Sequence, residues 1–453
     1  MKLKTAVLLS LVISGTLIAS GACHAEPEYN VIIIVINALR PDHMGCYGSR
    51  QGNTPNIDAL ATESAIFDNA VSQSYWTLPS MVSLLTSKYV SAHGVNSRSN
   101  RISGNNRTFT EILRRRGFDT AAFTCGLDTI DKYGLEKGFD LYHYYRGAKP
   151  VGSLGDILPE INKWLAQRQD SPFFALIHSY DLHPPYDKDL LAAKPGNAYS
   201  GVFSGSALDY GILKKIHGER LNMNGDELPL DQADLEYVKA LYSAGIRRAD
   251  AYVGELIAGI KKAGLYDNTI IILCADHGEE LGERGTFDRF DNQNLYQEVV
   301  HVPLIIRYPQ AKYRNARVKA LVGLIDLMPT ILDLQKIAKP AQIDGLSMAA
   351  LLKNPRARSG HKFLLAEGQK HKWAMLRADG WKLIFTNGKN QLYNLAHDPA
   401  ELNDLNEGKK RFALSMLRDF LDWYQLCKKY ATNGNQVILD PEMIENLKKA
   451  GYW

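Results

Sequence analysis

Along the chain, apolar runs of strand length are followed by polar or glycine-containing loops and then by helical patterns. Asn30 to Ile36 is nearly continuous Val and Ile, the texture of a strand covered on both faces. Thr120 to Thr124, Pro172 to Ile177, Thr269 to Leu273 and Val302 to Arg307 read the same way. Between them, Asn56 to Glu63, Ser80 to Ser87, Phe109 to Arg116, Ile157 to Arg168 and Asp234 to Ala263 carry helical patterns. The alternation predicts an α/β fold with a large, mostly parallel central sheet sandwiched by helices. Such sheets place their chemistry beyond the carboxyl ends of the strands, so polar residues there carry the most weight.

Past about residue 360 the texture changes. Lys362 to Glu367, Trp373 to Arg377, Trp381 to Thr386 and Gln391 to Leu395 are short runs, with Asp379-Gly380 and Asn387-Gly388 between them. Asp-Gly and Asn-Gly between apolar runs signal hairpins. A helix from Lys409 to Tyr430 follows, so a small C-terminal antiparallel sheet plus helix is expected over 361–453, after a main domain over 26–360.

The opening segment has its own character. Lys2 and Lys4 precede an apolar run from Ala6 to Ile18, and small residues lead to Ala22-Cys23-His24-Ala25. That order reads as a secretory signal over residues 1–25, giving an exported protein, periplasmic or secreted. Lipid attachment at Cys23 is the second reading and an uncleaved anchor the third. No later stretch is long and apolar enough to cross a membrane.

Composition narrows the class. With 453 residues, 45% hydrophobic and 23% charged, the chain is neither disordered nor collagen-like. Its formal charge of +4 gives no general electrostatic case for nucleic acid as a partner. Cys46, Cys125, Cys274 and Cys427 lie far apart with no metal-site spacing, and Cys125 and Cys274 fall in apolar runs that favour buried thiols. Asn106-Arg107-Thr108 matches a glycosylation acceptor, and Trp373 and Trp381 suit either a carbohydrate groove or hairpin packing.

Three segments bring ligand-type residues to strand ends. The first strand ends in Asn37-Ala38-Leu39-Arg40-Pro41-Asp42-His43, and a later one in Ala275-Asp276-His277-Gly278. Between them Trp76-Thr77-Leu78-Pro79-Ser80 opens a helix, whose N-terminus favours an anion nearby. A Thr77 hydroxyl between a helix start and cation ligands suits attack on a sulfate or phosphate ester. Taken alone, Asn37 is a turn residue and Thr77 an N-cap. A carboxylate and an imidazole ending an apolar strand are harder to explain without ligation, pairing or solvation. His183, in the segment after Pro172 to Ile177, is a candidate leaving-group contact. Arg289, as a contact to the anion, and His93 and Lys88 are weaker candidates.

The ordered motifs resemble the sulfatase family within the alkaline-phosphatase-like superfamily. They include "LRPDHMGCYG", "TPNIDALATESAIFDNA" from Thr54, "WTLPSMVSLLTSKYVSAHGV" from Trp76, "HSYDLHPPY" from His178 and "ADHGEELGERG" from Ala275. "HVPLIIRYP" from His301, "LIDLMPTILDL" from Leu324 and the closing "GWKLI…LYNLAHDPAELNDL" from Gly380 complete the series. The resemblance implies the α/β sandwich with a small C-terminal subdomain, and a metal-assisted hydrolase of an anionic ester, such as that of a sulfated glycan.

Carried over position by position, the resemblance also shows departures. Asn37 stands where the family places a metal-binding aspartate, and Ala38 where a second is frequent. Thr77 occupies the position that becomes formylglycine, and threonine cannot be oxidised to that aldehyde. Met81 replaces the signature arginine, and Arg284 the histidine after "GE". Asp276 and His277 match the late metal-ligand pair, and His183 a histidine near the ester. The resemblance thus implies one divalent cation, Ca²⁺, Mn²⁺ or Zn²⁺, held by Asn37, Thr77, Asp276 and His277, with Thr77, His183 and Arg289 in catalysis. A single carboxylate weakens the case for Ca²⁺, and His277 tilts preference toward Mn²⁺ or Zn²⁺. The leading expectation is a sulfate-ester hydrolase. Phosphate- or phosphodiester hydrolysis, or phospho-group transfer, through Thr77 is the first alternative. A degenerate relative that binds a glycan or protein without turnover is the second.

Overall fold

The computed structural model describes residues 28–145, 147, 152–168, 171–183, 232–284, 295–368, 372–386 and 389–430. The expected signal segment, Cys23 and Arg289 lie outside the described residues.

Strands β1 (Asn30–Ile36), β2 (Ala65–Val71), β3 (Asp119–Thr124), β4 (Leu141–Tyr144), β5 (Phe173–Ser179), β6 (Thr269–Cys274), β7 (His301–Arg307) and β8 (Ala316–Gly323) form one sheet. Its order is β4-β3-β5-β1-β6-β7-β2-β8. Every described pairing is parallel except those of β7, which runs against both β6 and β2. The described part of the β6–β7 connection carries a one-turn helix, Gln297–Val300, and no crossover helix, so the chain returns antiparallel. β1 is buried along its whole length, as its Val and Ile content requires.

The flanking helices include α1 (Pro55–Thr62), α2 (Thr77–Thr86), α3 (Phe109–Arg115), α4 (Leu154–Leu165), α5 (Gln232–Lys262) and α6 (Leu327–Leu334). A second, antiparallel sheet has the order β12-β11-β10-β9, from β9 (Phe363–Glu367), β10 (Trp373–Arg377), β11 (Trp381–Thr386) and β12 (Lys389–Asn394). Helix α7 (Lys410–Tyr430) packs on it through Phe420, whose ring lies 4.9 Å from Trp373 and 4.8 Å from Phe385. Trp373 is therefore core, and Trp381 packs edge-on against Phe412.

The four cysteines among the described residues are free thiols. Asn106 shows that the acceptor motif is a sequence match alone. It is fully buried, donating to the His93 carbonyl and accepting from Lys88, so it has no room to carry a glycan. Among the described residues no helix is long and apolar enough to cross a membrane.

Candidate active site at the strand carboxyl ends

Strand register sets the first two residues abreast. Val35 of β1 pairs with Cys274 of β6, so two residues further on Asn37 stands opposite Asp276. On the other side, Asn37 N donates to the Ser179 carbonyl at 3.0 Å, tying the same turn to the end of β5. Ala38 then takes the left-handed conformation (φ 59°), which costs a non-glycine residue on the order of 1 kcal/mol. Its carbonyl accepts from Tyr242 of α5 at 2.6 Å, and its N–H donates to Asp276 Oδ1 at 3.2 Å.

Helix α2 delivers Thr77 as its first residue, with Trp76 as N-cap. The hydroxyls of Ser72 and Ser80 both lie against the Asp276 carbonyl, which locks the first turn of α2 to the end of β6. Beyond Asp276 the chain turns at Gly278, whose N–H donates to the Val299 carbonyl at 2.7 Å. A Cβ at this position would sit 2.1 Å from the Glu298 carbonyl oxygen, so only glycine fits without moving backbone.

These elements bring Asn37, Thr77, Asp276 and His277 together in a buried cluster. Asn37 Nδ2 lies 3.0 Å from Thr77 Oγ1, 2.9 Å from Asp276 Oδ2 and 3.1 Å from His277 Nε2. Thr77 Oγ1 and His277 Nε2 are 3.3 Å apart. His277 Nδ1 is 2.8 Å from the Gly278 carbonyl and donates to it, which turns the Nε2 lone pair toward the cluster. His178, within the apolar run of β5, adds its Nε2 at 3.2 Å from Asp276 Oδ2. Burial opposes ionisation of Asp276. The imidazoles of His277 and His178 and the Asn37 amide outweigh it and hold the carboxyl well below the usual range.

The hydrogen bonds in this cluster do not balance. The Asn37 amide nitrogen has two hydrogens facing three acceptors, while its Oδ1 is buried without a partner. A buried acceptor left unpaired costs about 1–3 kcal/mol. A divalent cation answers both faults in chemical type. With the amide turned over, Asn37 would add a carbonyl oxygen to a carboxylate, an imidazole lone pair and a hydroxyl, a mixed N/O donor set whose chemistry suits Mn²⁺ or Zn²⁺. Among the described residues no group of three or more His, Cys, Asp or Glu side chains is arranged to hold a metal ion. A cation here therefore depends on the amide and hydroxyl as well.

The remaining sequence candidates lie around or away from this cluster. His183 is half-buried on the turn after β5, its ring stacked on Tyr180 at 5.1 Å, and Tyr180 in turn lies 5.1 Å from His178. His93 belongs to another neighbourhood: its Nε2 meets Ser83 Oγ at 3.0 Å, its Nδ1 accepts from Val95 N, and burial pushes its pKa down to about 3. Lys88 donates to Asn106. Of the carboxylates that follow the first strand, Asp42 pairs with Arg40, and Asp58 accepts from Cys46 N and Thr54, so neither joins the cluster. Sequence reasoning missed His178, although an imidazole directly after the apolar run Pro172 to Ile177 was a usable signal.

Comparison with known proteins places this geometry in context. A family model described as "Sulfatase" matches residues 29–337, and one described as "N-sulphoglucosamine sulphohydrolase, C-terminal" matches residues 282–421. The chain is 25% identical to an N-acetylglucosamine-6-O-sulfatase of Bacteroides thetaiotaomicron, over 85% of this chain and 83% of that protein. It is 26% identical to an ulvan-active sulfatase of Formosa agariphila, over 96% and 89% respectively. Among solved structures, a phosphonate monoester hydrolase of Agrobacterium radiobacter shares the fold with a TM-score of 0.72 at 20% identity, covering 88% of this chain and 96% of its own. A protein solved with its substrate D-glucosamine-2-N,6-O-disulfate shares it with a TM-score of 0.69 at 22% identity, covering 90% and 99%.

Proposed function

Because the chain belongs to the sulfatase family, we propose that it hydrolyses a sulfate ester through the Thr77 hydroxyl, without formylglycine. The observation that carries this reading is the surplus of lone pairs around Asn37, Thr77, Asp276 and His277, with Asn37 Oδ1 left unpaired. Asn37, Thr77, Asp276 and His277 would hold one divalent cation, Mn²⁺ or Zn²⁺ before Ca²⁺. When bound, that cation would lower the hydroxyl pKa and shield the charge on the ester; the Thr77 proton would pass to water. Thr77 Oγ1 forms a bond to sulfur as the ester S–O bond breaks, and His183 gives a proton to the departing alcohol oxygen. Water then hydrolyses the threonine sulfate and restores the hydroxyl. Arg289 contributes a cation to the anion, and His178 steadies the Asp276 carboxylate. The names of the sulfatases it resembles support a sulfated saccharide as substrate class. The basic, apolar, small-residue order of residues 1–25 supports action outside the cytoplasm, in periplasm or medium.

The test is turnover of 4-nitrophenyl sulfate and bis(4-nitrophenyl) phosphate by purified protein with Mn²⁺, Zn²⁺ or Ca²⁺, alongside metal analysis. Sulfate-ester turnover that falls at least a hundredfold in Thr77→Ala is the expected result. Turnover of the phosphodiester alone moves the reaction to phosphoryl chemistry. No turnover of either ester with no bound ion leaves a glycan- or protein-binding relative.

A further inference from the structure

Over Trp76, the residue before Thr77, lies a cation that the chemistry above does not use. Arg98 donates from Nε and Nη2 to the two oxygens of Asp128, at 2.6 and 2.8 Å. The carboxylate is 5% exposed and the arginine 58% exposed, so a buried anchor fixes the direction of a solvent-facing guanidinium. The guanidinium carbon lies 5.8 Å from the ring centre of Trp76, the residue immediately before Thr77.

Asp128 reaches this place through a 3-10 turn, Leu127–Thr129, that follows β3 and packs against α2. Gly126 permits the approach: a Cβ there would fall within 2.0 Å of the Tyr180 ring, the ring on which His183 stacks. The Asp128 carboxylate favours the charged form of Arg98 more than burial opposes it. One cation thus lies over Trp76, and the turn that fixes it begins at Gly126 against the Tyr180 ring, with Nη1 outside its fork to Asp128.

We propose that Arg98 is a specificity-determining residue that binds a second oxyanion on the substrate, beside the ester that meets Thr77. This rests on the hydrolase reading above and narrows its substrate to a saccharide carrying more than one negative group. Hydrogen bonds to a charged partner at a half-exposed site set the scale, so the second group strengthens binding about tenfold.

Calorimetry on the Thr77→Ala variant, in low and moderate salt, tests this. The probes are D-glucosamine-6-O-sulfate, D-glucosamine-2-N,6-O-disulfate and N-succinyl-D-glucosamine-6-O-sulfate, which separate a second sulfate from a second carboxylate. Binding of one or both doubly charged probes is expected to be about tenfold tighter than that of the monosulfate, and Arg98→Ala is expected to abolish that gain. Arg98→Lys should restore part of it. Arg98→Ala leaves Asp128 buried and unpaired, so Arg98→Ala/Asp128→Asn is measured beside it, with thermal melts to show that both fold. No gain from the second charge, or a gain that survives in the folded double variant, overturns the proposal. The hydrolase reading fails separately: wild-type protein inert toward 4-nitrophenyl sulfate, with the gain intact, leaves Arg98 an anion contact in a non-hydrolytic protein.

Discussion

At the scale of single residues, Asn37 decides the character of the site. Its amide nitrogen sits 2.9 Å from Asp276 Oδ2, so a neutral donor occupies a place where a second carboxylate would repel the first. Asn37→Asp converts that contact into two like charges in a buried cluster. In chelator, the variant is expected to melt several degrees below wild type. With Mn²⁺ added, it should gain more than wild type does, because two carboxylates neutralise a divalent cation better than one. Melting curves in chelator and in Mn²⁺ measure both effects. A variant as stable as wild type in chelator and indifferent to Mn²⁺ would show that this point takes no cation. Asn37, Thr77, Asp276 and His277 were legible in the sequence because each stands at or near the first polar position beyond an apolar run or opening a helix. His178 was passed over although it too follows an apolar run, because its role shows only when the end of β5 lies beside Asp276, 98 residues later in the loop after β6.

Whole elements were legible where their pattern was pure. β1, β5, β6 and β7 are almost continuous apolar runs, and all sit inside the central sheet. β2 escaped because Asp68 and Asn69 interrupt its apolar run, at a place where the pairing register also shifts against both neighbours. β8 escaped because it lies at the sheet edge and carries exposed polar residues in its first half. Neither signal separates from a loop until the partner strand is known. The loop after β6 owes its course to backbone rather than side chains: Gly278 and Glu279 N–H groups donate to the Val299 and Glu298 carbonyls at 2.7 and 3.0 Å. Gly278→Ala must push that contact apart, which displaces the neighbouring His277. The expected outcome is a folded protein, destabilised by roughly 1–3 kcal/mol, whose turnover falls more than tenfold. Urea unfolding and the ester assay measure the two consequences. Unaltered turnover in the variant would mean that His277 does not depend on this turn for its position.

Across the whole molecule, the small C-terminal sheet meets the main fold at the segment that leads into Thr77. Glu367, at the end of β9, donates its N–H to the Gln73 carbonyl at 2.9 Å and accepts at its own carbonyl from Ser74 Oγ at 3.0 Å. Its side chain is 5% exposed and accepts from the N–H and hydroxyl of Ser91. Burial pushes the carboxyl up to about 8, against those hydrogen bonds, which favour its charged form. The ordinary value is 4.5, so between pH 4.5 and 8 the unfolded chain releases a proton that the folded one keeps. The stabilising contribution is therefore complete below pH 4.5 and lost as pH rises through 8. Glu367→Gln keeps the shape and removes the charge, and burial holds Tyr89 and Cys427, the groups that sense that charge, up against ionisation in the fold. Relative to wild type, the variant is expected to gain roughly 2–4 kcal/mol between pH 5 and pH 9, read from urea midpoints at the two pH values. Because Glu367 grips Gln73 and Ser74, four and three residues before Thr77, the same alkaline range should loosen the approach to α2. Wild-type ester turnover should then fall above pH 8 more steeply than that of Glu367→Gln. Parallel stability curves for the two proteins across this range would show that the carboxyl ionises in the fold as it does in water, and that the seam does not sense pH.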